Sequence, residues 1–260
     1  MINIIVPCTP NYKRKKIINT INKEIGITDQ FFMLYNSIKD NWKKFEYRIS
    51  LFYNKDFPFN ETDTKKLTAL DIDIYPIEPD HPGSIFLSRC NAFLKELPNN
   101  GTHRVSLDCD MVALGEPNFD TSCDWQAMYA GSVIHKRYYD LINKDYGLDL
   151  DHTKKGSLFA NYMLGEDYNN FFPHFNGGTY FIREELCEEY KKLVMPSYDH
   201  CLNKYLPPDI RHIAIQYGLS FAFAKISDNW KPLDKGVNYL INAYDISVFG
   251  KENIKLLHYC

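Results

Sequence analysis

This 260-residue sequence predicts an α/β fold with a mainly parallel central sheet flanked by helices. Three observations carry that expectation. Strand-like and helix-like segments alternate through the first half, as βαβ units require. The chain opens on Ile2-Asn-Ile-Ile-Val6, the nearly continuous apolar run of a strand buried on both faces. Hydrophobic residues make up 45% of the chain, which supports a sizeable core.

Pro7 and Pro10 bound the opening strand. Helical patterns follow over roughly Lys13–Glu24 and Asp29–Lys44, then a strand over Tyr47–Tyr53. A helix over Thr62–Leu70 leads into a third strand, Ile72–Ile77. Over Ser84–Leu97 the residues Phe86, Cys90, Phe93, Leu94 and Leu97 share one helical face, with Arg89 off it. Pro98-Asn-Asn-Gly101 breaks that helix before a strand over Arg104–Val112.

The second half is less regular. Trp125–Ala130 reads as a strand and Lys136–Tyr146 as a helix. Asp149–Phe172 is polar and aromatic without a clear period, as expected of a loop over a site. Phe175–Ile182 is a strand, Arg183–Leu193 a helix, and Asp209–Ala224 an amphipathic helix striped by Ile210, Ile213, Ala214, Tyr217 and Phe221. Ile254–Cys260 closes as a short strand. No repeat, low-complexity tract or linker interrupts the chain, so a single domain over 1–260 is expected.

A net charge of −3 weighs against nucleic acid as a partner, because phosphate binding needs a basic excess. No apolar run is long enough to span a bilayer. Met1–Val6 is too short for a signal peptide, and Pro7 follows at once. The seven cysteines (8, 90, 109, 123, 187, 201 and 260) are odd in number and form no Cys-x-x-Cys pair. That pattern argues against a thiolate zinc site or a disulfide framework and makes a reducing, cytoplasmic setting the expectation. The sequons at Asn60 and Asn100 matter only in a secreted chain.

The chemistry concentrates in Ser106-Leu-Asp-Cys-Asp-Met-Val-Ala-Leu-Gly-Glu-Pro117. Val105, Leu107, Cys109 and Met111 alternate with Ser106, Asp108 and Asp110. On an extended strand the two carboxylates share a face, with Cα atoms about 6.6 Å apart. Such a pair either sits at a solvated strand end or grips a divalent cation, and carboxylate oxygens favour Mg²⁺ or Mn²⁺. Beside a diphosphate, that cation would offset the charge growing on the leaving phosphate.

With its place in mid-chain after three β-α units, "SLDCDMVALGEP" resembles the aspartate-pair motif of the GT-A glycosyltransferases, the nucleotide-diphospho-sugar transferase superfamily. The upstream Ser88-Arg89-Cys-Asn-Ala-Phe93 segment resembles the helix that often carries a basic residue facing the diphosphate. His174-Phe-Asn-Gly-Gly-Thr-Tyr-Phe181 is similar to the family's Asn-(Gly/Ser)-Gly strand, whose small residues let the sugar approach the backbone.

The resemblance implies a single GT-A, Rossmann-like domain with a nucleotide-binding half over 1–112 and an acceptor and sugar half over 113–260. It implies a UDP- or GDP-sugar donor, a glycan or other hydroxyl acceptor, and Mn²⁺ or Mg²⁺ held by Asp108 and Asp110. His258 sits where several retaining members carry a third ligand; the alternative is a histidine with no such partner. Pro7, Thr9 and Tyr12 would meet the nucleoside. Arg89 would clamp the diphosphate or lie solvated, and Asn176, Gly177 and Gly178 would line the sugar.

On the late helix, Asp209, His212 and Gln216 share the polar face at helical spacing. The family often places an acidic or amide residue there, near the reacting carbon. Gln216 departs from the acidic pattern and leaves the base unidentified. An inverting reaction needs a carboxylate, for which Asp209, Glu166 and Asp167 are candidates; in a retaining one Gln216 could steady an oxocarbenium-like sugar.

Two rival classes remain. Asp108-Cys-Asp-Met-Val112 also fits the nucleophile motif of haloacid dehalogenase-like phosphatases. That family places it near the N-terminus, and Gly165-Glu-Asp-Tyr-Asn-Asn170 matches its later element poorly. The other rival is a carbohydrate-binding protein of the same fold that has lost catalysis.

Overall fold

The structure is a computed structural model that describes residues 1–9, 26–78, 89–98, 101–131, 144, 158–165, 174–200 and 214–259. Its main sheet has seven strands in the order β3-β2-β1-β4-β7-β6-β8. β1 (Ile2–Cys8), β2 (Tyr47–Asn54), β3 (Asp73–Ile77) and β4 (His103–Leu107) run parallel. β7 (Phe175–Arg183) is antiparallel to β4 and to β6 (Trp125–Tyr129), and β8 (Trp230–Pro232) extends the far edge parallel to β6. All seven residues of β1 are buried, as its nearly continuous apolar run requires at the centre of a covered sheet.

Helices follow the strands as βαβ logic demands. α1 (Ile27–Asn41) buries Phe31, Leu34, Tyr35 and Ile38, spaced three and four residues apart, against β1 and β2. α2 (Glu61–Thr68) starts on Asn60, whose side chain accepts from the Asp63 N–H at 2.8 Å. α3 (Arg89–Leu94) packs on the other face, where Ile5, Phe52, Ile77 and Ala92 form a second, smaller core. α4 (Leu158–Met163), α5 (Cys187–His200), α6 (Ala214–Ile226) and α7 (Ile246–Phe249) belong to the second half.

A second sheet has three strands: β5 (Met111–Ala113), β10 (Leu256–His258) and β9 (Val237–Leu240), with β10 in the middle. α1 holds its edge. The Ser37 hydroxyl accepts from Ala113 N–H at 2.9 Å, and the Asn41 amide donates to Ala113 C=O at 3.0 Å. β9 carries one extra residue against β10, because Leu256 pairs with Val237 and Leu257 with Tyr239. The skipped residue, Asn238, is fully buried with φ 59°. It forms a bulge in the left-handed region, which asparagine tolerates better than most side chains.

Several expectations change. The strand expected over 104–112 ends at Leu107; 108–110 form a turn, and Met111 begins a strand of the other sheet. The alternation that suggested one strand is not an in-and-out pattern, since Ser106, Asp108 and Asp110 are as buried as their apolar neighbours. The loop expected over 149–172 contains α4. The helix expected from Arg183 begins as a 3-10 turn at Glu184–Leu186 and continues as α5 to His200. β8, β9 and α7 were not expected. The helix expected over 13–24, nearly all of that over 136–146, and the first five residues of that over 209–224 lie outside the described residues.

Candidate metal and diphosphate site

The main sheet dictates where a ligand goes. The chain runs outward from β1 to β2 and β3, then returns to the other side of β1 as β4. In an open α/β sheet this reversal leaves a crevice beyond the carboxyl ends of the two central strands. Thr9 follows β1 there, and Asp108 follows β4.

The turn after β4 brings the carboxylates together, rather than the shared strand face expected from the spacing. The Asp108 N–H donates to Gly178 C=O at 3.0 Å, which seats the turn on β7. Cys109, between the two aspartates, donates its thiol to Pro7 C=O at 3.3 Å and so ties the turn to the end of β1. A hydrogen bond with Cys8, together with complete burial, pushes the Cys109 thiol well up, so it packs as a neutral group. Met111 then pairs with His258 across the second sheet, and Tyr259 N–H donates to Asp110 C=O at 3.3 Å.

His258 Nε2 consequently lies 3.4 Å from Asp110 Oδ1 and 3.8 Å from Asp108 Oδ2. One ligand atom from each of the three lies within 4.8 Å of the others, and Asp108, Asp110 and His258 are only 6%, 4% and 7% exposed. Oxygen and imidazole donors on one ion at about 2.0–2.2 Å stand roughly 3–4 Å apart, so these two separations fit a small divalent cation. The donor set fits as well: two hard carboxylates with one imidazole suit Mn²⁺ or Mg²⁺ better than a thiolate-seeking metal. Burying two carboxylates side by side is costly without a compensating positive charge. Among the described residues, this is the one such group of ligating side chains.

The other expected residues divide by position. Asn176, Gly177 and Gly178 lie where β7 bulges away from β6, since Ala127 pairs with Tyr180 but Tyr129 pairs with Phe175. This stretch runs beside the aspartate turn. A Cβ on Gly178 would fall 2.8 Å from His258 Cε1, 2.8 Å from Asn176 Oδ1 and 2.6 Å from Met111 Cε. Protein groups, Met111 nearest, therefore fill the room that glycine leaves there. Arg89 is the first residue of α3.

Gln216 is half-buried on α6. Its C=O accepts from the Ser220 hydroxyl at 2.7 Å, and Ser220 in turn accepts from Phe175 N–H at 3.1 Å, so this helix docks at the start of β7. Tyr12, Glu166, Asp167, Asp209 and His212 lie outside the described residues. Sequence reasoning missed Asn238. Its side chain lies between His258 Nδ1, 3.0 Å from Oδ1, and Asn176 Oδ1, 3.1 Å from Nδ2. The only hint in the sequence was a polar residue inside the short apolar run Val237-Asn-Tyr-Leu240.

Sheet order, switch-point crevice and aspartate turn define a glycosyltransferase fold of the GT-A type. Three solved structures share it. The galactosyltransferase LgtC, solved with donor and acceptor sugar analogs, matches with a TM-score of 0.56 at 12% identity, over 99% of this chain and 87% of LgtC. A second LgtC structure carries a glutamine-to-glutamate mutation in its active site. Mouse xyloside xylosyltransferase 1 gives 0.54 at 11% identity, over 98% and 97%. The bifunctional WbbM glycosyltransferase gives 0.51 at 10%, over 100% of this chain and 45% of WbbM. No protein-family model and no curated protein matches the sequence. Among the described residues no helix is long and apolar enough to cross a membrane.

Proposed function

We propose that this chain is a metal-dependent glycosyltransferase that moves a sugar from a UDP- or GDP-linked donor to a glycan or other hydroxyl acceptor. The observation that carries the reading is the convergence of Asp108, Asp110 and His258 in one buried cluster at the switch-point crevice. Those three residues would hold Mn²⁺ or Mg²⁺, which when bound supplies positive charge to the departing diphosphate.

The chain's other residues divide the remaining work in this proposal. The end of β1, with Pro7 and Thr9, meets the nucleoside, and Tyr12 stacks on it. Arg89 reaches the diphosphate with its planar fork. The segment Asn176–Gly178 orients the sugar beside the cluster. Gln216 faces the reacting carbon, with Asp209 and His212 as further candidates, and LgtC too carries a glutamine in its active site. An inverting reaction would take its base from Asp209, Glu166 or Asp167. The nucleotide half is 1–112 and the sugar and acceptor half 113–260, all in a cytoplasmic protein of one domain.

Thermal unfolding with Mn²⁺ and UDP-, GDP- or ADP-sugars, repeated with Asp110→Asn, tests the reading. A stabilisation that needs both metal and nucleotide sugar and disappears in the variant is expected. No shift with any nucleotide would sink the proposal. Phosphate release from simple phosphomonoesters would favour a phosphatase instead. Donor binding without transfer to any acceptor would mark a carbohydrate-binding protein.

A further inference from the structure

Behind the cluster, on the side away from the carboxylates, lies a chain of side-chain amides whose polarity can be worked out. The two ends of an amide have nearly the same shape, so its direction has to be argued from a partner whose role is certain. A backbone N–H can only donate, and Gly178 N–H lies 2.7 Å from Asn176 Oδ1. This contact turns the Asn176 oxygen toward Gly178. The same oxygen lies 3.1 Å from the Asn238 amide, which must present its NH₂ end there. The Asn238 oxygen then faces His258 Nδ1 at 3.0 Å, and that ring nitrogen must carry the proton. Nε2 is left with its lone pair, on the side facing Asp108 and Asp110.

We infer that Asn238, anchored by Asn176, is a positioning residue that makes Nε2 of His258 the metal-ligating nitrogen, with the direction of the relay set by one backbone N–H. The inference rests on the metal reading of the cluster. Asparagine at 238 meets two demands at once. The bulge holds the residue at φ 59°, which Asn, Asp and Gly accept most readily, and the relay needs a side chain that accepts at one end and donates at the other. Aspartate satisfies the backbone and the acceptor but not the donor. Glycine satisfies the backbone alone. Outer partners that orient a ligating histidine typically change metal affinity by about 10–100-fold when removed.

The test uses the full chain with ¹⁵N-labelled histidine, metal-free, at a pH where imidazole is neutral. Long-range ¹H–¹⁵N correlation reads the tautomer, and His258 is assigned by the signal lost in His258→Gln. The unmodified chain is expected to show protonated Nδ1 and bare Nε2. Asn238→Gly keeps the backbone relaxed; it is expected to lose that signature and to weaken Mn²⁺ binding by about 10–100-fold in calorimetry. Asn238→Asp, which keeps an acceptor for Nδ1–H but loses the donor to Asn176, is expected to restore the tautomer and only part of the Mn²⁺ affinity. A protonated Nε2 in the unmodified chain, or Mn²⁺ binding that Asn238→Gly leaves unchanged, would overturn the inference alone. Failure of the unmodified chain to bind Mn²⁺ would overturn the metal reading and the inference with it.

Discussion

His258 pairs with Met111 across the antiparallel ladder of the small sheet, so the last member of the cluster is held in register one residue beyond Asp110. Backbone hydrogen bonds, rather than a flexible tail, place the imidazole against the carboxylates. The ladder supplies position and the side chains supply chemistry, so the two can be perturbed separately.

Removing a ligand separates binding from folding. Asp110→Asn is expected to weaken Mn²⁺ binding at least about 100-fold, more than the loss of a group that only orients a ligand. It also relieves repulsion between two buried carboxylates, so the metal-free variant should melt at or above the temperature of the unmodified chain. At a Mn²⁺ concentration 100 times its Kd the unmodified chain should gain about 2.7 kcal/mol, and the variant at most about 0.4 kcal/mol. Calorimetry and paired thermal melts read both.

Gly178→Ala tests the close approach between β7 and the cluster. The added methyl would press on His258, Asn176 and Met111, and only the end of Met111 can yield easily. Overpacking of this kind costs about 1–3 kcal/mol. Urea unfolding should show that loss, and Mn²⁺ affinity should fall with it because the imidazole is displaced.

Arg104 offers a control remote from the cluster. Its guanidinium is buried and bonds Glu184 through Nε at 3.1 Å and through Nη2, and it donates from Nη1 to the carbonyls of Lys95 (2.8 Å) and Phe93. Breaking a buried pair by removing one partner costs 3–5 kcal/mol, and because Glu184 is partly exposed, Glu184→Ala should cost about 2–3 kcal/mol. Stability should fall in urea while the affinity for Mn²⁺ stays as it was.

His103 gives the pH dependence a sign. Burial, helped by the nearby Arg183, holds its pKa below the ordinary histidine value, and its ring stacks on Phe181 at 4.7 Å. The unfolded chain therefore binds this proton more readily than the folded one. The full contribution is present above about pH 6.5 and is lost as pH falls toward the depressed folded value. Melting temperatures between pH 7.5 and 5.5 should drop more steeply for the unmodified chain than for His103→Gln.

The first half of the fold was legible because its strands are long, apolar and separated by periodic helices: β1 and α1 announce themselves. The aspartate pair was legible as chemistry, but its geometry was not. The alternation from Val105 to Met111 continues unbroken through the turn, and only a sheet change at Asp108 shows that the strand has ended. α4, β8 and β9 have only three to six residues each, too few for periodicity to register. Asn238 was illegible for a different reason. Its importance lies in a bulge and in contacts with Asn176 and His258, of which local sequence shows no more than one polar residue in a short apolar run.

The central place of β10 in the small sheet has a consequence for biosynthesis. A chain folds from its N-terminal side as it is made, and β1 to β4 can pair early. Until residues 256–258 emerge, β5 and β9 have no strand between them, and the two carboxylates have no imidazole opposite. On the metal reading, ion capture therefore waits until β10 has been made. Occupancy of the cluster would report that synthesis has passed β10, so a ribosome-bound intermediate stalled before it should be well folded in its first half and blind to manganese.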